Sequence, residues 1–290
     1  MHGRFDLAEN SATDASSGSV AAMQARLRSQ GILDLSFCSS EGRTRFGRTY
    51  QSGCLRMRAT RGEQQPCAVL INTAGGMADG DTLDQQIAWD EGAVGTVTTQ
   101  AAEKIYRAFS QGCRISTRMT VARGAQAEWL PQETILFDAA CLTRDAQVVL
   151  EEDVTFLGLE ATILGRTAMG ETVRSGSLRD RLRMWRNGRL VYADALALDG
   201  DIAALMQRAA IGGGACGMGV LVHASAAAGS LIGDVRDALA DAAGLAAAST
   251  WNGLLAVRLL APDGETLRHD IALALSVLRK GRPLPRVWRC

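Results

Sequence analysis

A mainly β fold is predicted: one large multi-stranded domain with about two α-helices in the last third of the chain. Three observations predict it. Apolar and polar residues alternate with period two through the first two thirds, as in "ILDLSFCS", "CRISTRMTVARG" and "LRDRLRMWRNGRLVYADALAL". These runs recur at intervals of roughly ten residues, the spacing of short strands in an all-β body. Helical spacing of apolar residues appears only after residue 229.

Residues 1–20 are rich in Ser, Ala, Asp and Asn without periodicity and are read as a disordered tail, which leaves 21–290 for the β-rich domain. "MQARLRS" and "ILDLSFCS" alternate as strands on either side of Gln30-Gly31. Strands are predicted at 67–72 and 82–89, joined by a compact connection in which Gly75-Gly76 and Asp79-Gly80 supply positive φ. In "AEWLPQETILFDAA", alternation puts Glu128 and Trp129 on opposite faces, and Pro131 breaks or edges the strand. Asn187-Gly188 tolerates the positive φ of a type I′ turn and marks a hairpin. Residues 230–249 are alanine-rich, with Leu231, Val235, Leu239 and Leu245 near helical spacing, Ser230 as a cap and Gly233 as a weak point. "WNGLLAVRLLAPDG" reads as a strand ending in a turn. A second helix is predicted over 265–283, with a stripe of Leu267, Ile271, Leu275 and Leu278, Gly281 at its C′ position and Pro283 as its stop. No internal sequence repeat divides the chain.

The totals exclude several function classes. Apolar residues make up 47% of the 290, enough for a packed core, while aromatics at 5% argue against a surface built for base stacking. The formal net charge is zero, so the whole molecule has no electrostatic case for nucleic acid or an anionic membrane, although a local basic patch stays open. No run of about 18 apolar residues spans a bilayer, and the N-terminus lacks the order of a signal peptide. The seven cysteines form no CxxC pair and none adjoins a histidine, which disfavours structural zinc and fits free thiols in a reducing cytoplasm.

"INTAGGMADGDTLDQQI" (71–87) has the glycine spacing of a phosphate loop at Gly75 and Gly80, but Asp81 stands where the Walker lysine belongs and would repel phosphate. The strand-like continuation also disagrees with a dinucleotide-binding turn. Asp81, Asp138 and Glu171 each follow an apolar segment, an arrangement that invites acid–base work or divalent-cation binding if they meet at one end of the β body. Lys104, Tyr106 and Arg107 form a polar group beside them, with a solvated strand end as the plainer reading. His2, His223 and His269 are scattered, and no GxSxG elbow is present, so hydrolase chemistry is disfavoured.

Five stretches in order, "LINTAGGMADGDTLD", "TTQAAEKIYR", "EWLPQETILFDAA", "LGRTAMGE" and the terminal "LPRVWR", resemble the urease accessory protein family UreD, called UreH in some species. The resemblance runs from about residue 24 to the C-terminus. The family often has Pro-Pro at Thr73-Ala74, Gly at Asp79 and a smaller residue at Glu103. The resemblance implies a scaffold and not an enzyme: a β-helix-like stack of strands with two helices. It also implies binding to UreF, through it to the GTPase UreG, and docking on the urease structural subunits. Nickel would be in transit through an internal tunnel, with no tightly bound cofactor. Asp81, Asp138 and Glu171 would then mark the nickel path, since carboxylates hold nickel more weakly than imidazole or thiolate. Lys104 and Tyr106 would shape the region, and Trp288 and Arg289 would anchor partners. Two rival readings are a metal-dependent enzyme using the three carboxylates and a pure interaction module in which they are structural.

Overall fold

The computed structural model describes residues 28–166 and 169–289. The expected N-terminal tail, most of the "MQARLRS" strand and Cys290 lie outside these residues. The chain is mainly β, arranged like a solenoid, with three α-helices after residue 200.

Four coils make the body, each crossing from one sheet to the other. The first runs from β4 (Cys67–Asn72) to β5 (Thr82–Trp89). The second runs from β6 (Val94–Thr99) through the short β7 (Glu103–Ile105) to β8 (Cys113–Val121). The third passes from β9 (Gln126–Leu130) through β10 (Thr134–Leu136) to β11 (Cys141–Leu150), and the fourth from β12 (Thr155–Leu164) to β13 (Gly176–Arg186). Successive coils pair in parallel, so β5, β8, β11 and β13 build sheet A, and β4, β6, β9 and β12 build sheet B. Hairpins finish the edges. β1 (Gln30–Ser40) pairs with β5 and carries β2 (Arg43–Gly53) outside it, while β14 (Arg189–Gly200) flanks β13. On sheet B, β3 (Leu55–Ala59) flanks β4, and β15 (Gly217–Ala224), β17 (Leu254–Ala261) and β16 (Leu245–Trp251) continue antiparallel from β12.

The period-two alternation is what fills the space between the sheets. Leu33, Leu35 and Phe37 of β1, Leu83, Ile87 and Trp89 of β5, and Met119 and Val121 of β8 all turn inward and are buried. The coils turn from sheet A to sheet B through tight connections with one left-handed residue each, at Gly92, Gly124 and Asp153. Hydrogen bonds stack these turns: Gly92 N donates to Arg123 O, and Gly124 N to Glu152 O. This is a structural repeat without a sequence repeat, because backbone pairing sets the coil and many apolar residues satisfy each inward position.

The strands at 67–72 and 82–89 and the hairpin at Asn187-Gly188 stand as expected, the latter with φ of 49° and 74°. Gln30-Gly31 is not a connection but the start of β1, where Gly31 pairs with Gly53. The helix expected over 230–249 ends at Leu239; it is α2 (Ile232–Leu239), after α1 (Ile202–Gln207), which periodicity did not reveal. Residues 245–251 are strand β16, because an Asn252-Gly253 turn folds them back against β17. Cross-strand pairing there outweighs alanine's helix propensity of a few tenths of a kcal/mol per residue. The last helix, α3 (Gly264–Leu278), starts one residue early on an Asp263 cap and stops short of 283, as Lys280 and Gly281 turn left-handed. α2 and α3 pack on the outer face of sheet B through Leu239, Leu267, Ile271 and Leu275. Among the described residues, no helix is long and apolar enough to cross a membrane.

Candidate functional site: the corner row and the inter-sheet cavity

The connections from sheet B to sheet A stack into one edge of the solenoid, and the predicted carboxylates lie on it. Asp81 precedes β5, Asp138 precedes β11, and Glu171 precedes β13. Since β8 separates β5 from β11, Asp81 lies about two strand spacings, ~10 Å, from the corner of Asp138. The three therefore form a row and not a cluster, and among the described residues no three His, Cys, Asp or Glu side chains are placed to hold a metal ion together. Asp138 and Glu171 do adjoin, the Asp138 N–H donating to Glu171 Oε1 at 3.4 Å.

Each carboxylate in the row accepts backbone N–H groups, which a turn leaves without a ladder partner. Asp81, buried, accepts from Ser29 N at 2.7 Å and Ala78 N at 2.8 Å. Asp79 reaches the next coil, accepting from Gln111 N, Gly112 N, Phe109 N and Ser110 Oγ. Burial disfavours its charge, but these donors outweigh that and hold its pKa below the usual range. Asp138 likewise spans to the following coil, accepting from Arg174 N at 2.8 Å and Ser175 N at 3.1 Å, and the Ser175 N–H leads in lowering its pKa. Glu171 accepts from Arg166 Nε at 2.8 Å, the main cause of its lowered pKa. Arg166 in turn lies over the Phe137 ring at 4.3 Å.

Tyr106 supports the opening glycine loop. Its hydroxyl donates to Gly75 O at 3.0 Å, and its ring lies where a Cβ on Gly76 would stand, 2.5 Å away. Gly76 also has φ of 145°, so only glycine fits there. Lys104 contributes its carbonyl to Met77 N at 2.7 Å while its side chain is exposed. Glu103, between these, accepts from Asn72 Nδ2 at 3.0 Å; burial raises its pKa to about 7. A carboxyl with a folded pKa above its unfolded value binds more protons folded, so its contribution is full below the unfolded pKa and is lost as pH rises through about 7. Urea unfolding of the wild type is thus expected to show stability falling between about pH 5 and pH 7, by about 1–3 kcal/mol from this group. Glu103→Gln should flatten that slope, and an unchanged slope would contradict it.

Trp288 and Arg289 divide. Trp288 is buried in its own chain, its indole N–H donating to Thr98 Oγ1 at 3.1 Å and Leu130 O at 3.2 Å, whereas Arg289 is exposed. Glu128 on β9 receives Arg279 Nη2 at 3.0 Å and Arg282 Nη2 at 2.6 Å, plus Thr96 Oγ1 at 2.6 Å. The same arginine donates to the Pro283 carbonyl. Glu128 faces the helices and Trp129 the inter-sheet space, as alternation required.

Between the sheets, near β13, β14, β15 and β17, lies a cavity of about 300 Å³. Its polar wall is Arg144, Glu160, Asp180, Asp194 and Arg258. Arg144 Nη1 meets Glu160 Oε2 at 2.8 Å, and its Nε meets Asp180 Oδ1 at 2.9 Å. Thr134 and Thr162 hydroxyls accept its remaining donors. Burial opposes the Arg144 charge, but the two carboxylates more than offset this and raise its pKa. Burial pushes Glu160 upward against the pull of Arg144, because Asp180 shares that guanidinium. Trp129 Nε1 donates to Glu160 at 2.9 Å, and Arg258 pairs with Asp194 at 3.0 Å. Sequence reading missed this set: the charges come from five strands, and only the odd charged residue at an inward position ("TRDAQ", "GLEAT") signals it.

These features define a class: a parallel β-solenoid with helices on one outer face, corner loops held by carboxylates and a charged cavity between its sheets. The family model of the UreD urease accessory protein matches residues 29–289. Urease accessory proteins UreD of Rhizobium etli and Xanthobacter autotrophicus are each 44% identical to the chain, over 90% of it and 95% of the former, and 91% of it and 91% of the latter. That of Azorhizobium caulinodans is 42% identical over 91% of this chain and 97% of its own. The chain belongs to the UreD urease accessory protein family.

Proposed function

We propose that the chain is a non-enzymatic scaffold of urease maturation in the cytoplasm. It binds UreF, engages UreG through UreF, and holds apo-urease while nickel passes to the urease site. The observation that carries the reading is the family match over 29–289, with relatives named urease accessory protein UreD aligned over most of their length. The charged inter-sheet cavity supports a path for a cation in transit, since its oxygen ligands are already engaged with arginine and would hold nickel loosely. In a host making urease, deletion of this chain is expected to leave urease protein present but nickel-poor. Normal urease activity in a clean deletion overturns the reading.

One observation favours the plainer alternative, a pure interaction module: Asp81, Asp138 and Glu171 all accept backbone N–H groups and so have a structural task. Asp81→Asn, Asp138→Asn and Glu171→Gln separate the readings, with metal content of co-purified urease as the measurement. Assembled complexes with at least about threefold less nickel fit carboxylates acting in transit, a loss of ~0.7 kcal/mol or more at RT of ~0.6. Assembled complexes with full nickel assign the row to structure. Turnover of any substrate by the purified chain, lost on Asp81→Asn, would instead indicate a metal-dependent enzyme.

A further inference from the structure

The outer face of sheet A is bare. α2, α3 and the C-terminal turn all lie on sheet B, and among the described residues no element covers the outer face of sheet A. Its side chains follow from the register. With Leu33, Leu35 and Phe37 inward, β1 turns Ile32 and Asp34 outward. A bulge sets Gly47 and Arg48 of β2 against Ser36 of β1, which shifts the alternation. Arg48 and Tyr50 consequently share the outer face with Arg43 and Arg45. Arg114 and Arg118 stand out from β8, and Arg179, Arg181 and Arg183 from β13. Eight arginines thus stand against four aspartates, Asp34, Asp84, Asp145 and Asp199. Arg48 pairs with Asp34 at 3.0 Å and Arg183 with Asp145 at 2.6 Å; the other arginines named here point outward from exposed positions. The formal charge of the whole chain is zero, so this excess is concentrated on one face.

We propose that the outer face of sheet A is a docking surface for an acidic protein surface, and that within urease maturation this partner is apo-urease. The inference rests on the function proposed above. Three features fix the class of occupant. The charge is arginine alone, which forms bidentate pairs with carboxylates and loses little on desolvation. Only Tyr50 and Trp185 offer rings on this face, too few for stacking a nucleic acid strand. Seven strands at about 4.8 Å, of eight to twelve residues at about 3.3 Å each, present about 1,100 Å², enough for the ~800 Å² that one partner gives to a stable protein complex.

The test uses the full chain with immobilised apo-urease, binding followed by interferometry from about 50 to about 300 mM NaCl. Two charge-reversed variants are compared, Arg43→Glu with Arg45→Glu, and Arg179→Glu with Arg181→Glu. Arg208→Glu, exposed on another part of the surface, is the control. The expected result is binding weakened about tenfold or more by either pair, chiefly through a slower association that salt abolishes. The control should bind as wild type, and all three should unfold at the wild-type temperature. Two separate pairs keep the test valid if one fails to fold. Wild-type affinity in both pairs overturns the assignment of this face. Retained urease binding with loss of binding to a fluorescent single-stranded oligonucleotide gives the face to nucleic acid and also overturns it. Absence of binding by the wild type overturns the maturation reading itself, a distinct outcome.

Discussion

Glu128→Gln is expected to destabilise the chain by about 3–5 kcal/mol, because it leaves the buried Arg279 guanidinium beside that of Arg282 without a carboxylate. Glu128 and Arg279 have side chains 5% exposed, and Arg282 is one-third exposed. No other carboxylate reaches the pair among the contacts described, and the amide of glutamine offers one acceptor oxygen where the carboxylate accepts from five donor atoms. The urea midpoint should drop with little change in slope, as the native surface stays the same. Replacing the partners together tests the cause. Glu128→Leu with Arg279→Met removes the buried charges as a unit and should recover most of the loss, since a buried pair of this kind is seldom better than a packed apolar one. A double change with no recovery would show that packing, and not the stranded charge, set the cost.

Arg144→Met is the second large effect, again about 3–5 kcal/mol near neutral pH, and it carries a pH signature. Glu160 and Asp180 would then share the cavity without their cation. Burial and repulsion from Asp180 then raise the folded-state pKa of Glu160 further above its unfolded value. Groups raised in this way contribute fully below the unfolded carboxylate pKa of about 4 and lose their contribution as pH rises through the folded values. The variant's deficit should accordingly be smallest near pH 4 and grow toward pH 7. Unfolding curves across that range, set against the wild type, measure it. A deficit independent of pH would mean that lost packing of the arginine stem dominates.

Both effects sit at buried positions where an apolar residue is the default, Glu128 under the helices and Arg144 between the sheets. That is why the sequence makes the coil legible and the chemistry less so. Period two in "CRISTRMTVARG" states which residues face the core of β8, and Asn187-Gly188 states where β13 turns. Neither states which sheet a strand joins, since the same pattern serves sheets A and B. Alanine at 246–248 was legible as helix because propensity is local, whereas the pairing of β16 with β17 is not. The carboxylates Asp81, Asp138 and Glu171 were legible as residues at the ends of strands. Their shared edge follows from the stacking of coils, but their separate hydrogen bonds to neighbouring turns depend on backbone placement that no residue type announces. Trp288 is the clearest case of a readable residue in an unreadable place: an aromatic near a chain end suggests an exposed anchor, and here it is buried.

The position of that tryptophan has a consequence for folding. Its indole bonds to Thr98 and Leu130, residues 190 and 158 positions earlier, and Arg279 and Arg282 reach back to Glu128 across 151 and 154 positions. Closing such long loops costs chain entropy before the contacts repay it, so contacts of this separation slow folding. Until they form, the outer face of sheet B near β6 and β9 lacks its cover and Glu128 lacks its cations.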